Sequence, residues 1–346
     1  MARSGVIHAD RTGCPLCGHV GHTLVDSQSD LFFGSPEEFG VARCAACDAL
    51  FTIPQLSVEQ LRAYYPDDYR AFSDNLSSSL PDTGAPISTY ARVSTLYGRL
   101  LYDAIWATGP RRVAARSAAC LLRLGALIYG AHPPDLIPIP PNSRSYLHVG
   151  SGTGGRFLRL KVRGWNVSAV DINRDLLRRW VEAGVLTDAR YAGIEYADFD
   201  EGRFDVVFMS HVLEHLTTPI ACLEKIRTWL KPQGILVCEL PVYETFGWNA
   251  RRGFTYYDVP RHVVHYTDRT LIRTLSQAGL SVRLRTVLPN PWGFFFCDFK
   301  RCVMTGKPRD CSYPHVSETL FRHRTLGWIA WLARSSGNVC VYAVRD

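Results

Sequence analysis

Lysine is scarce in this chain: five of the 39 basic residues are lysine and the rest are arginine. Arginine suits bidentate contacts to phosphate or carboxylate, although genome base composition accounts for such a skew more simply. The net charge of +7 is modest and the positive residues are dispersed, so no nucleic-acid partner is favoured. An apolar leader is also missing: MARSGVIHADRTG has no hydrophobic core, which argues against a signal peptide. No stretch is long enough to span a bilayer, which takes about 20 residues. The longest apolar run, Ala118–Ala131, is interrupted by Arg123. Eleven cysteines without an export signal point to a reducing, cytoplasmic setting, where cysteine pairs hold metal more often than disulfides. The 346 residues, 47% hydrophobic and 21% charged, allow one sizeable globular domain and a smaller one.

The first sixty residues carry Cys14-Pro-Leu-Cys17 and Cys44-Ala-Ala-Cys47, two C-x2-C turns separated by 26 residues. Each turn aims two thiolates at one point, and the two together complete a tetrahedral zinc site. About fifty residues bury too little apolar surface to fold easily without such a staple. All four positions are protein ligands, so the site is closed and structural. His19 and His22 fit the spacing less well. The expected zinc ribbon covers 10–66. Near its end, Ser57 with Gln60 reads as a capping box opening a short helix.

Residues 67–142 read as a linker and a helical cap. The stretch 70–86 is rich in Ser, Asp and Pro, and two helices are expected over 87–108 and 110–129. The second should bury Val113, Cys120, Leu121, Leu124, Leu127 and Ile128, with Arg112, Arg116 and Arg123 on another face. Packing on the main domain is the simplest use of that face; a lid or peripheral contact with a membrane surface is the alternative.

Residues 143–346 are organised around Ser145–Asn173. Strand Tyr146–Val149 leads into Gly150, Gly152, Gly154 and Gly155, then a helix with Phe157, Leu158, Leu160 and Val162. Strand Val167–Val170 follows, and Asp171 ends it. In an open parallel sheet that edge binds ligands, and an acid there can accept ribose hydroxyls, so the stretch reads as a nucleoside cofactor site. The glycines satisfy both G-x-G-x-x-G and G-x-G-x-G, which leaves the nucleoside open. Asn173 caps the next helix. Further strands are expected at 189–191, 204–209, 235–239, 280–287 and 338–344, with helices at 219–230 and 267–278. This alternation predicts an α/β fold with a Rossmann-like, doubly wound, mostly parallel sheet. The last strand has no helix after it and can insert antiparallel.

The order of motifs adds a family. SGTGG, Asp171, FDVVFMSHVLEHL and LEKIRTWLKPQGILVCELP resemble the class I S-adenosylmethionine-dependent methyltransferases over about residues 143–346. The start CPLCG…CAACDALFTIPQ…YY is similar to the zinc-ribbon front end of a bacterial branch, which includes enzymes of surface-polysaccharide and natural-product pathways. The resemblance implies that Gly150, Ser151, Gly152 and Gly154 face the amino-acid part of S-adenosylmethionine. It gives Asp171 and the neighbouring Asn173 the ribose side. Asp198, with Glu195 as second choice, goes to the adenine, and Met209 and Ser210 line the sulfonium side. It also implies that LEHL opens the helix after strand four. His148 stands where the family usually has an acid that organises the methionine end.

Transfer to a hydroxyl requires positioning and a base poised near neutral pH, for which histidine is suited. His211, His215, His262 and His265 are candidates, with Glu214; we take His211, His262 and Glu214 as the catalytic set. His211-Val-Leu-Glu214-His215 also spells H-x-x-E-H, but a metallopeptidase needs that motif within one helix. The expected activity is methylation, at oxygen, of a small-molecule or glycan acceptor. Carbon methylation of a nucleotide-linked sugar, or cofactor binding without transfer, are the alternatives.

Overall fold

The computed structural model describes residues 13–30, 35–65, 89–128, 136–142, 144–152, 154–243, 257–288 and 337–345. The linker read at 70–86, Tyr256 and the aromatic segments 290–302 and 325–334 lie outside these residues.

The N-terminal part is a meander of β1 (His22–Asp30), β2 (Ser35–Cys44) and β3 (Leu50–Ile53), paired antiparallel. The capping box forms as read: Ser57 Oγ accepts from the Gln60 N–H, and Gln60 reaches back to the Ser57 N–H, opening α1 (Val58–Arg62).

Two helices follow, α2 (Thr89–Trp106) and α3 (Gly109–Ile128). The expected apolar face of α3 is corrected here. Val113 is 64% and Leu121 68% exposed, and Cys120 is exposed, whereas Ala115 and Ala119 are buried. Small side chains four residues apart let α3 lie close against α2, so Ala115, Ala119 and the half-buried Leu122 take the inward stripe and Val113 and Leu121 turn outward; the side chains of Leu124, Leu127 and Ile128 lie outside the described residues. Arg111 pairs with Asp103 of α2 at 2.9 Å, and Arg116 donates to the Arg283 carbonyl at 2.9 Å. Among the described residues no helix is long and apolar enough to cross a membrane.

The main region runs β4 (Ser145–Val149), α4 (Gly155–Val162), β5 (Asn166–Val170), α5 (Arg174–Glu182), β6 (Asp188–Arg190) and β7 (Phe204–Ser210). Then come α6 (Pro219–Trp229), β8 (Leu230–Pro241), β9 (Val264–His265), α7 (Asp268–Gln277), β10 (Leu280–Leu288) and β11 (Asn338–Arg345). Seven strands form one sheet in the order β10-β11-β8-β7-β4-β5-β6. The strands β6-β5-β4-β7-β8 are parallel, and β11 enters antiparallel between β8 and β10. The Rossmann-like, mostly parallel α/β sheet with an antiparallel last strand is thus as the sequence predicts.

β7 is buried from Phe204 to Met209, as expected of a strand covered on both faces. Alternation separates the two sides of the sheet. Tyr146, Val206, Phe208 and Tyr342 meet Phe157, Trp165 and Trp180 on one side. Leu147, Val149, Val207, Met209 and Leu236 lie on the other, in a core that continues into Leu16, Phe51 and Ile53 of the N-terminal part. Backbone pairing crosses the same seam, because β3 pairs with β9 through Leu50↔His265 and Phe51↔Val264. In α4, Val162 is 55% exposed and drops out of the expected stripe, since it falls at the helix end.

Candidate functional site: a cofactor cradle beside a histidine cluster

Four cysteines come together first. The sulfur pairs Cys14–Cys47 and Cys17–Cys44 are 3.5 and 3.6 Å apart, and all four sulfurs lie within 4.8 Å of one another. Tetrahedral zinc with Zn–S near 2.3 Å requires sulfurs about 3.8 Å apart, so the group fits. Matching turns aim the thiols: the Gly18 N–H donates to the Cys14 carbonyl and the Asp48 N–H to the Cys44 carbonyl. Burial pushes the Cys14 and Cys47 thiols up, Cys47 to about 11. For Cys44, burial also raises the value, but the N–H groups of Cys47 and Ala46 bring it below normal. His19 and His22 are not part of this cluster.

The second site lies at the carboxyl edge of the sheet. Val170, Val149, Met209 and Cys238 are successive register partners, so Asp171, Gly150, Ser210 and Glu239 all stand one step beyond that row. Since β5 and β7 flank β4 on opposite sides, the crevice between β4 and β7 is the topological switch point. Gly150 has φ +69°, and a Cβ there would meet Val212 at 2.4 Å. Gly154 has φ +70°, and its Cβ would meet Trp180 Nε1 at 2.1 Å. Gly152 has nothing within 4 Å, the open side on which a ligand can approach.

Asp171 ties the turn down. One carboxylate oxygen accepts from the Ser151 N–H and from Ser151 Oγ at 2.8 Å; the other accepts from the Asn173 N–H at 2.7 Å. Burial raises its carboxyl, and the Asn173 and Ser151 donors hold that rise back. The Gly152 N–H adds a further donor, so the backbone of the turn closes around the carboxylate. Asn173 spends its side chain on the helix, accepting the Leu176 N–H at 3.0 Å as the cap of α5. Asp198 is exposed and accepts from the Phe199 N–H at 3.0 Å and from Trp229 Nε1 at 3.3 Å. Lys225 draws the carbonyls of Glu195 and Ala197 in beside it, at 2.9 and 2.7 Å. Met209 is fully buried and Ser210 half-buried.

His148 is inside an aromatic cage. It is 6% exposed, its ring meets Phe157 and Phe208 edge-on at 5.3 and 5.0 Å, and Tyr146 Oη lies 3.3 Å from Nδ1. Burial first, and the Arg156 guanidinium second, hold its pKa well below the ordinary range. The ring is therefore neutral at pH 7 and cannot reproduce the charge of an acid.

His211 ends β7 with φ +53°, its N–H donating to the Glu239 carbonyl at 2.8 Å. Its side chain is 50% exposed and Nδ1 lies 3.2 Å from Glu214 Oε1. Burial pulls the His211 pKa down, but the Glu214 carboxylate outweighs it and the net shift is upward. Burial likewise raises Glu214, and His211 brings it below normal. The LEHL segment is a 3-10 turn, Leu213–His215, and α6 starts separately at Pro219. This corrects the expectation that LEHL opens the helix: the left-handed backbone at His211 and the Pro219 start leave room for one tight turn.

Two histidines meet over that turn. His215 Nδ1 lies 2.9 Å from the Arg261 carbonyl and from Tyr65 Oη. His262 Nδ1 lies 2.8 Å from Tyr243 Oη, and its ring meets that of His215 at 4.7 Å. Burial first, opposed by Asp258, takes the pKa of His262 down to about 4. His265 points away, into the N-terminal sheet, with Nε2 3.0 Å from Thr52 Oγ1.

Arg261 fixes the loop that carries His262. It is fully buried and places all five of its N–H donors. Nη1 and Nη2 take Asp30 at 2.6 and 2.9 Å, Nη1 also takes the Tyr64 carbonyl at 3.2 Å, and Nε and Nη2 take Asp258. Arg261 and Asp30 are 231 residues apart, so no local pattern announces the pair.

Residues 126–284 match the family model of a methyltransferase domain. Among solved structures, the domain is similar to an S-adenosylmethionine-dependent methyltransferase from Archaeoglobus fulgidus. Identity is 20%, over 64% of this chain and 92% of that one, with a TM-score of 0.39. It is also similar to one from Mesorhizobium loti, at 17% identity over 60% and 94%, TM-score 0.39. A geranyl diphosphate methyltransferase in complex with its cofactor matches at 12% identity over 78% and 95%, TM-score 0.41. No curated protein matches the chain.

Proposed function

We propose that this protein is an S-adenosylmethionine-dependent methyltransferase that acts on an oxygen of a small-molecule or glycosidic acceptor. The observation that carries the reading is the closed circuit of Gly150, Ser151, Gly152, Gly154 and Asp171 at the switch point, one strand from the His211–Glu214 pair. The bound cofactor supplies a methyl carbon made electrophilic by its sulfonium. The glycine turn holds the amino-acid end, and Asp171, oriented by Ser151 and Asn173, takes the ribose side. Asp198 lies on the adenine side, and Met209 with Ser210 line the sulfonium side.

His211 stands at the exposed rim, where its Nε2 takes the acceptor hydroxyl's proton as the oxygen attacks. Glu214, beneath it, stabilises the resulting imidazolium through Nδ1. That arrangement makes His211 a stronger base than a free imidazole and places the proton on a side chain open to water. His262 and the loop around it form the acceptor wall. The four-cysteine site holds structural zinc in a cytoplasmic protein, and the clamp of Arg261 passes the rigidity of the N-terminal sheet to that wall.

The caged His148 favours a second reading, a cofactor-binding protein without transfer. Calorimetric titration with S-adenosylhomocysteine tests the shared step, with saturable binding expected. Absence of binding, with NADH bound instead, overturns both readings. Labelled methyl transfer from S-adenosylmethionine to acceptor fractions separates them.

A further inference from the structure

Glu214, His215 and His262 form a group that the cofactor reading does not use in full. Each offers a ligand atom, and these atoms lie within 4.8 Å of one another. They come from the 3-10 turn after β7 and from the clamped loop before β9. The two imidazoles are oriented alike. His215 Nδ1 faces the Arg261 carbonyl at 2.9 Å, and His262 Nδ1 faces Tyr243 Oη at 2.8 Å. An outer partner on Nδ1 fixes the ring and the tautomer, the usual support of a metal-bound histidine, and turns Nε2 toward the group; that of His262 also lies 3.5 Å from Asp258 Oδ2.

Glu214 supplies the second, independent observation. Its side chain is 0% exposed, and neither carboxylate oxygen accepts a hydrogen bond among the described residues. His211 Nδ1, on a half-exposed ring, lies 3.2 Å from Oε1, and the His215 and His262 rings stand beside the same carboxylate. Burying a carboxylate is costly unless hydrogen bonds and neighbouring charge offset it. A divalent cation removes that cost.

We infer that Glu214, His215 and His262 bind a first-row divalent cation, distinct from the zinc of the four cysteines. Two imidazoles and one carboxylate suit manganese, iron or zinc and exclude the soft ions that thiolates select. Three protein ligands leave open positions for water or an acceptor hydroxyl, whose pKa the cation lowers. This is not the peptidase arrangement, because His211 ends a strand and is not a ligand. The inference stands on these side chains rather than on the methyl-transfer reading.

The test uses the full chain with zinc in the cysteine site and Mn2+ as the probe, which thiolates do not favour. Electron paramagnetic resonance should count one bound Mn2+ per chain. Spin-echo modulation should show imidazole nitrogen coupled to it, a result that needs no variant. Glu214→Gln and His262→Ala should each weaken Mn2+ binding at least tenfold while keeping one equivalent of zinc, which reports a folded N-terminal part. Unsaturable Mn2+ uptake, a bound ion without nitrogen coupling, or variants that bind as tightly as the native chain would overturn the inference. S-adenosylhomocysteine binding on the same samples shows whether the cofactor reading stands or falls separately.

Discussion

The Arg261–Asp30 pair gives the most direct test of how the N-terminal sheet supports the seven-stranded α/β domain. Both side chains are buried, at 0% and 1% exposure, and two hydrogen bonds of 2.6 and 2.9 Å join them. Replacing Asp30 by Asn removes the fully buried one of the two carboxylates that compensate a guanidinium out of reach of water. Breaking one partner of a buried pair costs about 3–5 kcal/mol. Two charge-assisted hydrogen bonds at about 1.5–3 kcal/mol each give a similar figure. Arg261→Met should cost about as much, because it takes the guanidinium from buried Asp30, while Asp258 at 20% side-chain exposure can be hydrated. The double variant should then cost less than the sum, by a coupling of about 1–3 kcal/mol. Urea unfolding followed by tryptophan fluorescence, with zinc in constant excess, measures all four proteins. Single losses under about 1 kcal/mol, or losses that simply add, would refute the clamp.

Four further outcomes follow from the geometry. Gly154→Ala puts a Cβ 2.1 Å from Trp180 Nε1 at a left-handed φ, so it should lower stability by more than the 1–2 kcal/mol of the backbone alone and weaken S-adenosylhomocysteine binding in calorimetry. Asp171→Asn should weaken that binding about tenfold, or ~1.4 kcal/mol, since one carboxylate oxygen becomes a donor facing the Ser151 or Asn173 N–H; unchanged affinity would remove Asp171 from the cofactor site. His148→Asp should destabilise by about 1–3 kcal/mol in thermal unfolding, as a carboxylate enters an aromatic cage, whereas His148→Phe should not. Cys14→Ala should release zinc to a chromogenic chelator and open the β3–β9 seam to protease, because three thiolates hold the ion weakly.

Much of the fold was legible because it rests on short-range rules. Period and flanking glycines marked β4, α4 and β5, and Asn173 caps α5 as read, as Thr267 caps α7. The cysteine spacing marked the four-thiol cluster. The face of α3 was not legible, because packing against α2 favoured Ala115 and Ala119 over the larger side chains. Nor was the fate of LEHL, where a left-handed His211 turned an expected helix start into one 3-10 turn.

By itself the sequence determined the order of elements, the glycine turn with Asp171, and the two cysteine pairs, each a matter of neighbours within a few tens of residues. The tertiary structure alone decided that His148 is a caged neutral ring and that the N-terminal sheet continues through β3 into β9. It alone decided that Arg261 joins Asp30, and that Glu214, His215 and His262 converge. These depend on contacts between segments distant in the chain, where burial and pairing, and not residue type or spacing, set what a side chain does.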